Sequence, residues 1–290
     1  MFNRILVPLD GSKLAEQVLP HVTELARAFN PAVIIMEICE PGDSQYKRMC
    51  EIYIENQAAQ LKKDLGETSA TVVKKAVLVG KPAPQIVSYA KKNSISIIIM
   101  ASHGSSGIKP WSFGSTSEMV LNRARVPIII LRSTEPSEPS VKVRLFDTIL
   151  TPLDGSERDE AALPYVKKLM SKFKSRVILL QVVTSVKHVQ TVGGLDYVRY
   201  DEHYIDSMRE RAQKYLENAG AKLAGAAANI RYEVRVGEPS QEITKCADEL
   251  NCSLIAISTH GRSGIDRWLH GSTTHQVLQS SKHSLLLVPL

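Results

Sequence analysis

The sequence predicts an α/β protein built from two tandem doubly wound, open parallel β-sheet domains. Three observations predict this. Short apolar runs alternate with amphipathic helical stretches, the runs are apolar almost without interruption, and the whole series occurs twice. Regular β–α alternation requires crossover helices, which makes neighbouring strands parallel. Strands without polar alternation are covered on both faces, as in a sheet layered between helices.

The duplication is read from matches in order. RILVPLDGS at 4–12 returns as TILTPLDGS at 148–156, an offset of 144, and Leu19-Pro20 returns as Leu163-Pro164. Val79-Gly80-Lys81-Pro82 returns as Val236-Gly237-Glu238-Pro239, now at an offset of 157. Ser102-His103-Gly104 and Gly114-Ser115 keep that second offset, as Thr259-His260-Gly261 and Gly271-Ser272. The change from 144 to 157 places one insertion between the second and third strands of the second copy, around KHVQTVGGLDYVRY. Self-similarity in this order is a gene duplication. The copies are assigned to 1–132 and 144–290. Residues 133–143 between them, rich in serine, proline and glutamate, suit an exposed linker.

Within a copy, ILVPL is the first strand. The helix after it carries Leu14, Val18, Val22, Leu25 and Phe29 near a 3.6 period. Ser156 and Asp159 form a capping-box pattern at the matching helix, and Pro20 and Pro164 inside these helices predict kinks. Second strands follow at 33–39 and 176–183, then a long helix, and third strands at 72–79 and 230–236. A helix opens near Pro82 or Pro239. A buried strand, ISIIIMAS or SLIAIST, precedes a glycine loop, a helix and a closing strand, VPIIIL or SLLLVPL. The tyrosines at 46–53 and 197–204 are assigned on or near the long second helices as packing or interface residues.

Composition narrows the function classes. The chain is 43% hydrophobic and 23% charged, as globular proteins are. Its net charge of +6 is scattered over single and paired lysines, and aromatics are only 6%, so nucleic acid is not indicated as a partner. No apolar run reaches the roughly 18 residues a membrane span needs. Pro8 and Asp10 interrupt the first apolar run, which argues against a signal peptide and for a cytoplasmic protein. Cys39, Cys50, Cys246 and Cys252 lack metal-ligand spacing and read as reduced, buried small groups.

In an open parallel sheet, ligands settle at the carboxyl ends of the strands where strand order reverses. Asp10-Gly11-Ser12 and Asp154-Gly155-Ser156 follow the first strands, where a carboxylate can accept from ribose hydroxyls or an adenine amino group. The plainer reading is a turn and a helix cap. After the fourth strands come Ser102-His103-Gly104-Ser105-Ser106-Gly107 and Thr259-His260-Gly261-Arg262-Ser263-Gly264, with Gly114-Ser115 and Gly271-Ser272 seven residues further on. Glycines let backbone approach an anion, and the first N–H groups of the following helix bind it. The plainer reading makes Ser115 an N-cap, with Glu118 completing a capping box. No G-x-x-x-x-G-K-[ST] loop, G-x-G-x-x-G fingerprint or G-x-S-x-G elbow is present. His103 and His260 have no carboxylate or nucleophile placed beside them and read as loop corners. His270 and His275 have the wrong spacing for a shared metal. No catalytic residue and no metal site is assigned.

P-L-D-G-S paired with [S/T]-H-G-x9-G-S, twice over essentially the whole chain, resembles the universal stress proteins of the ATP- or AMP-binding branch. The resemblance implies an adenine nucleotide α-hydrolase-like, Rossmann-like fold and an adenine-nucleotide ligand, ATP or AMP, with Mg²⁺ as an optional companion. It puts Pro8, Asp10, Pro152 and Asp154 at the ribose or adenine, and Ile38 and Val182 beside the base. Gly104, Gly114, Ser115 and Thr116 would hold phosphate in the first copy, and Gly261, Gly271, Ser272 and Thr273 in the second. The family pattern is G-x2-G-x9-G-[S/T]. Here its first glycine is Ala101 or Ser258, both small enough to stand near ribose or phosphate. Arg262, where the first copy has Ser105, predicts tighter triphosphate binding in the second copy. The resemblance also implies that the closing strands pair edge to edge. That gives an internal pseudo-dimer and leaves open a further homodimer.

Two function classes follow. One is a nucleotide-binding regulatory protein of the stress response, at most a slow ATPase. The other is a non-catalytic structural or interaction module with one or both sites degenerate.

Overall fold

β-Branched runs too short for helices and too apolar for loops become the strands, and the proline- and glycine-punctuated stretches between them become the crossovers. The computed structural model describes residues 1–41, 44–67, 69–104, 107, 114–133, 144–184, 189–192, 195–198, 202–223, 229–259 and 273–290. The chain divides into two units. One gathers Met1–Leu145 with Lys282–Leu290, the other the described residues between Phe146 and Ser281.

The first unit runs β1 (Arg4–Leu9), α1 (Lys13–Glu16), α2 (Leu19–Phe29), β2 (Ala32–Cys39), α3 (Ser44–Leu65), β3 (Val72–Val79), α4 (Pro82–Lys92), β4 (Ile97–Ala101), α5 (Ser115–Arg123) and β5 (Ile128–Leu131). Its strands lie in the order β3-β2-β1-β4-β5, every neighbouring pair parallel. The order reverses between β1 and β4. The second unit runs β6 (Thr148–Pro152), a 3-10 turn (Asp159–Ala162), α6 (Leu163–Phe173), β7 (Arg176–Val183), β8 (Val189–Val192), β9 (Leu195–Val198), α7 (Glu202–Leu223), β10 (Ile230–Val236), α8 (Pro239–Glu249), β11 (Leu254–Ser258) and α9 (Thr273–Ser280). Its order, β10-β7-β6-β11, is parallel throughout and repeats that of the first.

The central strands form the core: Ile5, Leu6, Val7, Ile97, Ile98 and Ile99 are fully buried, and so are Ile149, Leu150, Leu254 and Ile255. Removing such side chains from water on both faces of each sheet is the main driving force of the fold. The duplication extends to backbone and rings. Asn30 and Lys174 end corresponding helices in the left-handed conformation. Phe2 stacks on Phe29 at 4.7 Å, and Phe146 on Phe173 at the same distance.

Three expectations change. Pro20 and Pro164 do not kink a helix, because each stands in the first turn of a new one, α2 or α6, where a proline has no hydrogen bond to lose. The insertion in the second copy forms an antiparallel pair, Val189↔Val198 to Val192↔Leu195, so Tyr197 is a strand residue, while Tyr204 lies on α7. The capping box at Ser156 is half formed. Ser156 Oγ accepts from the Asp159 N–H at 3.3 Å, but the Asp159 carboxylate takes the Asp154 N–H instead, at 2.7 Å.

The closing strand of the sequence, β12 (Ser284–Val288), belongs to the first unit and pairs antiparallel with β5, Leu285↔Ile130 to Leu287↔Ile128. The expected edge-to-edge pairing of the two closing strands is therefore present, and it covers the β5 edge that would otherwise be open.

Candidate functional site

The first cleft opens at the carboxyl ends of β1 and β4, the place where an open parallel sheet receives ligands. Asp10 follows β1 directly. Gly11, at φ +79°, turns the chain so that the Ser12 N–H (3.1 Å) and hydroxyl (2.6 Å) both donate to Asp10 Oδ1. The same hydroxyl accepts from the Ala15 N–H at 3.1 Å and caps α1. Ser12 thus fills the turn-and-cap role and orients Asp10, which stays exposed at the mouth.

Across the crevice, β4 ends at Ala101 with ordinary strand backbone, as β11 ends at Ser258. Neither has a positive φ, so these positions call for a small residue and not for glycine. Ser102 and His103 are buried and turn the chain. His103 Nδ1 stands 3.1 Å from the Ser102 hydroxyl, the His103 N–H donates to Ser133 Oγ at 3.3 Å, and the Ser133 N–H donates to Ser102 Oγ at 3.0 Å. The histidine is a corner piece. Gly104 leaves room for Asp10: a Cβ there would fall 1.9 Å from Asp10 Oδ2, so the carboxylate would have to shift. Gly114 donates its N–H to the Ser102 carbonyl at 2.9 Å and is itself the N-cap of α5. Ser115 is therefore the first residue of the helix and not its cap, so the expected Ser115–Glu118 box is absent and the Ser115 side chain remains exposed. Ser117 Oγ ties the helix down by donating to the Ala101 carbonyl at 2.9 Å, and Thr274 repeats this bond to Ser258 at 3.1 Å.

Together these segments enclose a cavity of about 280 Å³. Pro8 and Asp10 reach it from β1, and Ile38 from β2. Ala101 comes from β4, Gly104 from the loop, and Gly114, Ser115 and Thr116 from the start of α5. Every first-copy position singled out in the sequence meets at this one place. Tyr46, Pro82 and Ile86 were missed and also line it. The larger omission is Glu37. It lies on the cavity wall, 8% exposed, and its Oε2 has no hydrogen-bond partner among the described residues. Burial pushes its carboxyl up to about 7, the Cys50 thiol bonded to it pulls the other way, and the Asp10 carboxylate adds to the rise. The available signal was a lone acid inside the apolar run VIIMEIC, repeated as the lone glutamine of RVILLQVV. Gln181 occupies the same register position, and its Oε1 is likewise buried without a partner among the described residues.

In the second unit a cavity of about 310 Å³ takes in Asp154, Gln181 and Val182, with Arg211 and Tyr215 of α7. Pro152 ends β6, Ser258 ends β11 and Thr273 opens α9. Gly261, Arg262, Gly271 and Ser272 lie outside the described residues. Asp159, which sequence reasoning used only as a cap, is buried beside the strand ends. Its carboxylate accepts from the Ser258 hydroxyl and the Asp154 N–H. Burial first, then the Asp154 charge, raise its pKa to about 6, against the Ser258 and Asp154 hydrogen bonds. Among the described residues no group of three or more His, Cys, Asp or Glu could hold a metal ion, and no helix is long and apolar enough to cross a membrane.

The family model described as the universal stress protein family matches residues 1–132 and again 145–289. Universal stress protein YxiE of Bacillus subtilis is 32% identical over 149 residues, which is 50% of this chain and 99% of that protein. A universal stress protein of Mycolicibacterium smegmatis is 20% identical over 297 residues, covering 98% of this chain and 96% of its own. Among solved structures, a universal stress protein from Archaeoglobus fulgidus superposes with a TM-score of 0.72 at 20% identity, covering 100% of this chain and 99% of that one.

Proposed function

Because the chain belongs to the universal stress protein family and carries its domain in tandem, we propose that it is an adenine-nucleotide-binding regulatory protein, taking ATP or AMP in the first cleft. The observation that carries this reading is the convergence of Asp10, Ile38, Gly104, Gly114 and Ser115, five residues from four segments, on one cavity at the strand-order reversal. The chemistry along the cavity suits such a ligand. Asp10 is an acceptor for ribose hydroxyls. Ile38 offers an apolar wall for the base, with the Glu37 head beside it. The first turn of α5 presents backbone N–H groups where phosphate would lie.

Any Mg²⁺ would arrive with the phosphates, since the described residues offer it no ligand cluster. We read the function as switching or storage, with at most slow ATP hydrolysis. The chain's location would be the cytoplasm, and its wider role a response to stress conveyed through a nucleotide-dependent surface.

The test is direct. Mass spectrometry of small molecules released from freshly purified, denatured protein identifies the nucleotide, and titration with ATP and AMP gives the affinity. Gly114→Asp would abolish binding in the first cleft by placing a carboxylate where phosphate sits. Neither released nucleotide nor a thermal shift with ATP or AMP would favour the interaction-module reading instead.

A further inference from the structure

The two copies provide an internal control on the same cleft. In the first, the walls beside Asp10 are two methyl groups, Ala15 and Ala101, and both border the cavity that also holds Gly104, Gly114 and Ser115. In the second, the corresponding positions, 144 and 157 residues on, are Asp159 and Ser258. They have changed together and they bond to each other. Ser258 donates its hydroxyl to Asp159 Oδ1, and the Asp154 N–H donates to Asp159 Oδ2 at 2.7 Å. The residue is 7% exposed, and the strand ends it bridges, β6 and β11, are the counterparts of β1 and β4, between which the first copy opens.

A backbone N–H and a serine hydroxyl at a strand end are the kinds of donor an anionic ligand would use. Here they already hold an anion, one that belongs to the protein. A cavity of the second unit runs from Asp154 along β7 to α7, and neither Asp159 nor Ser258 borders it.

We infer that Asp159, locked by Ser258 and the Asp154 N–H, is a built-in anion that keeps nucleotide phosphate out of the second cleft, so that each chain loads one nucleotide, in its first copy. This rests on the nucleotide reading of the first cleft and extends it to stoichiometry. Two effects act together: the carboxylate fills the crevice, and its charge stands where phosphate charge would have to enter. Arg262 pointed to the second copy as the tighter site. The buried carboxylate outweighs it, because a cation on the loop cannot vacate the strand ends.

Calorimetric titration of the full chain with ATP at pH 7.5 tests this. Wild type is expected to bind one equivalent, and Gly114→Asp none. Asp159→Ala/Ser258→Ala is expected to bind two, and the same pair combined with Gly114→Asp one. The reverse graft, Ala15→Asp/Ala101→Ser, would weaken the first site at least tenfold. Thermal unfolding of each variant, with Asp159→Asn as the isosteric alternative, separates misfolding from a change in binding. Two equivalents on wild type would overturn the inference and leave the nucleotide reading standing. So would one equivalent that survives Gly114→Asp. No binding to wild type but one equivalent on the Asp159/Ser258 variant would overturn the first-cleft reading and support the lock. No binding to either would overturn both.

Discussion

Replacing Glu37 with glutamine will stabilise the chain at alkaline pH and change it little in acid. The side chain is 8% exposed, and burial moves its carboxyl from an ordinary 4.5 to about 7. At about 1.4 kcal/mol for each tenfold change in proton affinity, that move is worth about 3 kcal/mol. Its sign follows from proton counting. Between pH 4.5 and 7 the folded state keeps a proton that the unfolded chain has released. The favourable term is therefore complete below 4.5, declines as pH rises, and is gone above 7. Asp159 adds a similar decline between its ordinary 3.8 and about 6. The wild-type profile thus contains both groups, and only the difference from Glu37→Gln isolates one. Glutamine keeps a neutral head at every pH, and Gln181 shows that the equivalent position accommodates it. The variant should gain about 3 kcal/mol at pH 8.5 and less than about 1 kcal/mol at pH 5. For a unit of this size the larger gain is roughly 6–12 °C in Tm, read by scanning calorimetry. Equal gains at the two pH values, or none at pH 8.5, would refute the reasoning.

Gly104→Ala would push a methyl group to within 1.9 Å of Asp10 Oδ2, displace that carboxylate and weaken ATP binding at least tenfold in equilibrium dialysis; unchanged affinity would remove the Asp10–Gly104 contact from the site. Leu286→Ala, at a fully buried side chain of the strand paired with β5, should cost about 2–5 kcal/mol. The loss should show as faster amide exchange in β4 and β5 of the first unit, although residue 286 lies in the second sequence copy; exchange confined to the second unit would contradict that strand assignment. All four cysteines are buried, and burial pushes the Cys50 and Cys252 thiols up to about 12 and Cys246 up to about 11. Iodoacetamide at pH 8 should label none of them in the folded chain and four after denaturation, and a rapid native adduct on any one would show an accessible thiol.

The strands shared by the two copies were legible to within two residues, because an apolar β-branched run has one stable place in a sheet covered by helices on both faces. The third strands, 72–79 and 230–236, were read with the bounds the structure has. The hairpin β8–β9 was also readable: Gly193-Gly194 between VQTV and LDYV is a two-residue turn signal, overlooked in favour of the long helix that follows. The first-copy site was legible for a different reason. Turn glycines and the carboxylate beside them are set by local backbone geometry, so P-L-D-G-S and H-G-x9-G-S carry their positions in the chain order itself. Gly104 shows the limit of that. Sequence marks it as a loop glycine, while its need for a bare Cα comes from Asp10, 94 positions away, pressing on it.

What chain order left open concerns groups whose behaviour depends on distant neighbours. Glu37 looked like an interruption of a strand; its raised pKa comes from the walls that shut water out around it. Asp159 looked like a helix cap, and locally it could have been one. Folding brings Ser258 and the Asp154 N–H to its carboxylate, and two charge-assisted hydrogen bonds outweigh a single local cap. The duplication, the doubly wound class and the loop glycines follow from local periodicity and turn chemistry. The Asp159–Ser258 bond that sets the second copy apart joins residues 99 positions apart, which only the packed strand ends could bring together.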